Sequence, residues 1–188
     1  MPIVPLNLVV TPFSERGQVE PSTWTGTDPT DALRVANAIW MPANIQFHLK
    51  QDVVLDTPLD LPKGTRTHEQ VVLDGLSIRR PAGTLVNVFL INRVPGLIAG
   101  GLSYLNSDPE AACFVQQYDD AKSSGRALAH ELGHLLSLDD LKIDYQNVRL
   151  ARIQVNNLMV PAMTVATGLT PDQIKAAKAG KLIKKFGG

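Results

Sequence analysis

Four histidines stand in the chain, at 48, 68, 130 and 134, and five glutamates, at 15, 20, 69, 110 and 131. Two of those histidines and one glutamate fall in His130-Glu131-Leu132-Gly133-His134. On a helix, residues four apart share a face, with Cβ atoms about 5–6 Å apart. Both imidazoles can therefore converge on one metal ion. Zinc suits them, because it takes neutral imidazole nitrogen and keeps an open position for chemistry. Glu131 lies one residue round from His130, where it reaches a water at the metal rather than the metal itself. That makes His130 and His134 candidate ligands and Glu131 a candidate general base.

Zinc needs a third protein ligand for such chemistry. No His follows His134 and no Glu follows Glu131. The carboxylates left downstream are Asp139, Asp140, Asp144 and Asp172. Two rival readings use the same metal without proteolysis: a non-catalytic zinc-binding interaction module, and a zinc amidase acting on a non-protein amide. A base beside an open metal position argues against a purely structural site.

The elements that must carry this motif follow from periodicity and turn chemistry. Ser123 or Ser124 caps a predicted helix running to about Leu138, with Leu128, Leu132 and Leu135 forming an apolar back behind the histidine front. Upstream, Ile3 to Val10 reads as a strand and residues 11–29 as a polar loop. Asp28 caps a helix with Pro29 in its first turn. Ala32, Leu33, Val35, Ala36, Ile39 and Trp40 form its stripe, and Pro42 ends it. Residues 44–49 alternate as a strand, which 53–55 continue. Residues 57–81 give no clear signal. Leu85 to Asn92 reads as a central strand, and 100–105 and 112–118 as two more, separated by a turn at Asn106-Ser107-Asp108-Pro109. A last helix runs from Thr170, with Pro171 and Asp172 in its first turn, toward Phe186.

Composition narrows the function classes. The 188 residues are 44% hydrophobic and 19% charged, as a single folded domain requires. Eighteen basic residues balance eighteen acidic ones, against a nucleic-acid binder. No apolar run approaches the roughly 20 residues of a membrane span. The single cysteine, Cys113, forms no internal disulfide and is expected to be buried. The first residues lack the basic start and apolar stretch of a secretory signal, so the compartment stays open. Asp119-Asp120 read as cap or surface charges, with a calcium site as the minor alternative. His48 and His68 read as ordinary polar positions. Lys175, Lys178, Lys181, Lys184 and Lys185 read as a solvated helix face.

Taken together, His130-x-x-x-His134-x-x-x-x-x-Asp140 resembles the zinc signature of the metzincin clan of metallopeptidases, in the variant of snapalysin-type bacterial enzymes that ends in Asp. The resemblance implies His130, His134 and Asp140 as ligands of one catalytic Zn2+ and Glu131 as acid/base. Asn157-Leu158-Met159-Val160-Pro161, followed by Leu169-Thr170-Pro171-Asp172-Gln173-Ile174, resembles the corresponding part of matrix metalloproteinases. Met159 would then be the Met-turn residue, an apolar floor under the metal. The likeness spans about residues 85–180.

What the resemblance implies for the whole is one catalytic domain over 1–188, an α+β (metzincin-like α/β) fold. A mixed twisted sheet and two long helices would form an upper subdomain over about 1–134. A small lower subdomain over about 135–188 would carry the C-terminal helix. The activity would be that of a monomeric zinc endopeptidase acting on protein or peptide substrates, and secretion would fit the family. Substrate would lie along a strand edge between Gly100 and Tyr118, with Gly101 marking close approach. Val160, Pro161 and Met163 would wall the pocket for the residue after the cut. This chain departs from the family pattern in two places. Ser137 stands where a glycine normally turns the chain, which keeps Asp139 as second candidate ligand. Residues 141–156 form an added connection, within which Tyr145 could approach the metal.

Overall fold

The computed structural model describes residues 1–15, 18–20, 22–24, 28–55, 58–61, 86–92, 101–105, 111–161 and 166–186. A five-stranded sheet organises it. Its strands are β1 (Ile3–Thr11), β4 (Gln46–Val54), β6 (Val86–Ile91), β7 (Gly101–Leu105) and β8 (Ala111–Gln116), in the order β4-β1-β6-β8-β7. The first four neighbours run parallel, and β7 closes the edge antiparallel to β8. The fold is thus a mixed α/β one. The parallel strands read as near-continuous apolar runs because both faces are covered. All six residues of β6 are buried.

A second, three-stranded sheet joins β2 (Phe13–Glu15), β3 (Gln18–Glu20) and β5 (Leu59–Leu61). It corrects the expected loop over 11–29. Three-residue strands of mixed polarity carry no periodic signal, and their pairing with Leu59–Leu61 is non-local. The strand read over 44–49 and continued at 53–55 is the single strand β4. The turn expected at 106–109 lies outside the described residues, as do residues 62–81 of the unclear stretch.

Helix α1 (Asp28–Trp40) buries Ala32, Leu33, Ala36, Ile39 and Trp40 of the expected stripe and leaves Val35 half-buried. It ends in a 3-10 turn over Met41–Ala43, where Pro42 sits, and Asn44 follows in the left-handed region. Trp40 packs edge-on to Phe47 and donates its indole N–H to the Ala129 carbonyl, 3.1 Å away. That bond anchors α1 to helix α2 (Ala121–Leu135), which carries the His-Glu-x-x-His motif.

Beyond α2 come α3 (Val148–Gln154), α4 (Pro171–Ala179) and α5 (Lys181–Phe186). The expected extra structure in 141–156 is α3. The single last helix is two, parted at Gly180. A Cβ there would stand 2.9 Å from the Leu136 carbonyl, so the break lets the chain pass against the end of α2. Among the described residues no helix is long and apolar enough to cross a membrane.

Candidate metal centre

Asp120 caps α2: its carboxylate accepts from the Ser123 N–H and from the Ser123 hydroxyl, both at 2.8 Å. This replaces Ser123 or Ser124 as the cap. The two acceptor oxygens of Asp satisfy donors that one Ser hydroxyl would leave open. Ser124 instead accepts from the Tyr118 N–H. The helix ends at Leu135 rather than Leu138. From Ser124 to Gly133 every residue is buried, because α1 packs on one flank and β7 and β8 on the other. The histidine front is thus enclosed as well as the apolar back, and Arg126, His130 and Glu131 are polar groups inside the protein.

Buried polar groups need partners, and these have them. His130 Nδ1 lies 2.8 Å from the Leu158 carbonyl, and His134 Nδ1 lies 2.8 Å from the Leu138 carbonyl. A carbonyl only accepts, so each Nδ1 carries the proton and each Nε2 presents a lone pair. This is how metal-binding imidazoles are oriented in general. Burial pushes the His130 pKa down to about 4, against the opposing bond to Leu158, which keeps the ring neutral as a ligand must be.

Asp140 completes a triangle. The two Nε2 atoms are 3.2 Å apart, and Asp140 Oδ1 lies 3.3 Å from one and 3.4 Å from the other. Four ligands in a tetrahedron with bonds of about 2.0–2.2 Å have edges of about 3.3–3.6 Å. Three donors at nearly equal spacings of that size fit zinc. Among the described residues this is the one group of three such side chains close enough to share an ion. Asp139 and Asp144 are exposed outside it, and Asp119 and Asp120 belong to no such group among the described residues.

The turn that delivers Asp140 resolves the departure at Ser137. Ser137 takes φ 70°, the left-handed conformation that glycine usually fills after a helix. Its N–H donates to the His134 carbonyl at 2.8 Å, and the Leu138 N–H donates to the Gly133 carbonyl at 3.0 Å. That pair of bonds is the Schellman motif. It turns the Leu138 carbonyl back onto His134 and leaves Asp140 beside both rings.

A second segment, residues 157–160, packs on the same helix. Met159 is fully buried, and its sulfur would be only 2.5 Å from a Cβ placed on Gly133. Only the bare glycine face of α2 admits it. Asn157 Oδ1 accepts from the Met159 N–H, and Gln173 holds Asn157 through both amide groups. Gln173 also closes the capping box of α4 with Thr170. The Leu141 N–H donates to the Met159 carbonyl at 2.6 Å, tying the residue after Asp140 to the same segment.

Arg126, one turn before His130, donates from Nη2 to the carbonyls of Leu158 (2.8 Å) and Val160 (2.7 Å) and from Nε to Ala166 (3.1 Å). The Leu158 carbonyl thus serves both Arg126 and His130. Sequence reasoning missed Arg126. Its signal was a cation on a helix stretch otherwise apolar, four residues before His130.

Glu131 is 4% exposed. Burial pushes its pKa up to about 8, partly offset by a hydrogen bond from Ser103 and raised further by Asp140. A base near neutrality suits proton transfer, and a bound cation would draw it down. Gly101 approaches this side chain: a Cβ on it would stand 2.7 Å from Glu131 Cγ. Val160 is buried and Pro161 exposed; Met163 lies outside the described residues. Tyr145 is exposed. Cys113 is free and fully buried, and burial pushes its thiol pKa up. His48 is exposed, as are the five lysines of α4 and α5; His68 lies outside the described residues.

With fold and site in place, the comparison with solved structures is informative. The chain has the mixed α/β fold of archaemetzincin-like zinc peptidase structures. Archaemetzincin from Methanopyrus kandleri superposes with a TM-score of 0.58 at 16% identity, covering 96% of each chain. A zinc-dependent peptidase from Methanocorpusculum labreanum gives 0.54 at 12% identity over 92% of this chain and 99% of its own. Metalloproteinase-II from Bacteroides fragilis gives 0.56 at 13% identity over 95% of this chain and 53% of its own. No family model matches the sequence, and no curated protein does.

Proposed function

We propose that this protein is a zinc-dependent endopeptidase, with His130, His134 and Asp140 as the metal ligands and Glu131 as the acid/base. The observation that carries the reading is the triangle of donors at 3.2, 3.3 and 3.4 Å, with both imidazoles locked by their Nδ1 bonds. The shared fold of the zinc peptidases above supports it. Zinc, when bound, supplies a Lewis acid that polarises the scissile carbonyl and acidifies water. Glu131 takes the proton of the attacking water and returns it to the leaving amine. Met159 would form the apolar floor of a Met-turn, and the residues after His134 a lower subdomain facing the sheet across the cleft. Gly101 and the Val160–Met163 stretch remain the proposed substrate contacts.

Metal analysis together with peptide or casein cleavage tests this. The expected result is one zinc per chain and cleavage that Glu131→Ala abolishes while zinc stays bound. Cleavage surviving Glu131→Ala would overturn the assignment of the base. Zinc binding with hydrolysis of neither casein nor peptides would instead support the non-catalytic module, or the amidase if a non-protein amide were cut.

A further inference from the structure

Ser103 sits on β7, the edge strand, and no spacing in the sequence links it to the His130–His134 motif. Its hydroxyl lies 2.7 Å from Glu131 Oε2 and 2.8 Å from the Glu131 carbonyl oxygen. Two residues earlier on the same strand, Gly101 faces the other side of that carboxylate. A Cβ on Gly101 would stand 2.7 Å from Glu131 Cγ and 2.8 Å from Oε1. Positions two apart on a strand share a face, so β7 meets one side chain at two points.

We propose that Ser103 is a positioning residue for the Glu131 carboxylate, with Gly101 providing the slot in which that carboxylate lies. The proposal rests on Glu131 being the base of the peptidase reaction above. Among the described residues Ser103 is the one hydrogen-bond donor to this carboxylate. The carboxylate is buried, so the bond is not shared with bulk water and counts for more than a surface contact. A free Glu side chain samples several rotamers, whereas proton transfer needs the oxygen held within a few tenths of an ångström. Ser103 fixes Oε2, and the absent Cβ of Gly101 leaves Oε1 room. The hydroxyl has one proton, so its bonds to Oε2 and to the helix carbonyl are alternatives. The second acceptor keeps the hydroxyl in place when the first is not taking its proton.

The test uses Ser103→Ala, Ser103→Thr and Glu131→Ala in the full chain. With zinc loaded and a peptide substrate, Ser103→Ala should lower kcat by about 10–100-fold, a loss of the size that misplacing a catalytic group produces. KM and zinc content should stay near wild type, and Ser103→Thr should restore most of kcat. The second readout needs neither metal nor activity. In the metal-free protein, the Tm change caused by Ser103→Ala should be clearly smaller in a Glu131→Ala background than in wild type, because the partner is already gone. Wild-type kcat in Ser103→Ala, or the same Tm change in both backgrounds, overturns the proposal. If the wild type cleaves no peptide but the Tm changes remain coupled, the peptidase reading falls and the Ser103–Glu131 pairing stands.

Discussion

His130 and His134 turn their Nε2 atoms toward each other, 3.2 Å apart, with different help. His134 is oriented by its own helix end: the carbonyl it meets belongs to Leu138, four residues on. His130 is oriented by Leu158, 28 residues away. That carbonyl is itself held by Arg126, and its segment is anchored through Asn157 and Gln173. One imidazole is set by a local turn and the other by a tertiary clamp. The difference shows where the site can be tuned and where it can only be broken.

The largest effect is expected at Asp140, where the two supports meet. Its side chain faces both rings, and the next residue is tied to Met159. Asp140→Ala should weaken zinc binding by more than the roughly 10–100-fold typical of losing an outer contact. Asp139→Ala, exposed and outside the triangle, should change it little. Competition titration with a chromogenic chelator reads both. Equal losses would mean that the turn delivers either carboxylate.

Next comes the clamp on His130. Arg126→Met keeps much of the side-chain volume but leaves the carbonyls of Val160 and Ala166 without their donor and halves the bonding at Leu158. Each unsatisfied buried acceptor costs about 1–3 kcal/mol, so a loss of about 3–5 kcal/mol in unfolding free energy is expected. Urea unfolding of the metal-free protein measures it. A loss below about 1 kcal/mol would show that water can replace the guanidinium and that the clamp is not tight.

These two supports also explain what the sequence revealed. Asp140 was singled out only by the family resemblance. The motif helix, the order of strands and helices and the pairing of His130 with His134 were legible because their signals are short-range: His-to-His spacing, periodicity and turn residues at element ends. Ser103, Arg126 and the Leu158 carbonyl were not, because their roles exist only once β7 and the 157–160 segment fold onto α2. The helix itself misled in one respect. Its leucine spacing implied one apolar face, whereas α1, β7 and β8 enclose it, so its polar residues are buried too. The two-helix C-terminus was hidden for a similar reason, since the break at Gly180 is dictated by its approach to Leu136.

A smaller effect is expected where the clamp touches the helix. Gly133→Ala would bring a methyl group to 2.5 Å from the Met159 sulfur. Alanine is worth up to about 1 kcal/mol in helix propensity, while overpacking costs about 1–3 kcal/mol. The clash should win, with a net loss of about 1–2 kcal/mol, because Met159 is fully enclosed. Replacing Met159 by the smaller Val in the same chain should recover part of the loss. If Gly133→Ala alone raised stability, the thioether would have to be free to swing aside, and the packing of Met159 on α2 would be loose.

The smallest effect, and the one of opposite sign, belongs to the local turn. Ser137 holds φ 70° at the position where the Schellman motif favours glycine. A non-glycine residue there is strained by about 1 kcal/mol. Glycine relieves that strain but also gives the unfolded chain more freedom, which takes back part of the gain. Ser137→Gly should therefore raise stability by less than about 1 kcal/mol, a rise in Tm below about 2–4 °C for a chain of this length. Because the hydrogen bonds of the turn are backbone bonds, the Leu138 carbonyl and Asp140 should keep their places, and zinc affinity should not fall. A drop in affinity with a rise in Tm would mean that serine holds the turn in a geometry glycine abandons. The local support would then be tuned for the metal at a cost in stability, unlike the clamp, where stability and ligand orientation depend on the same bonds.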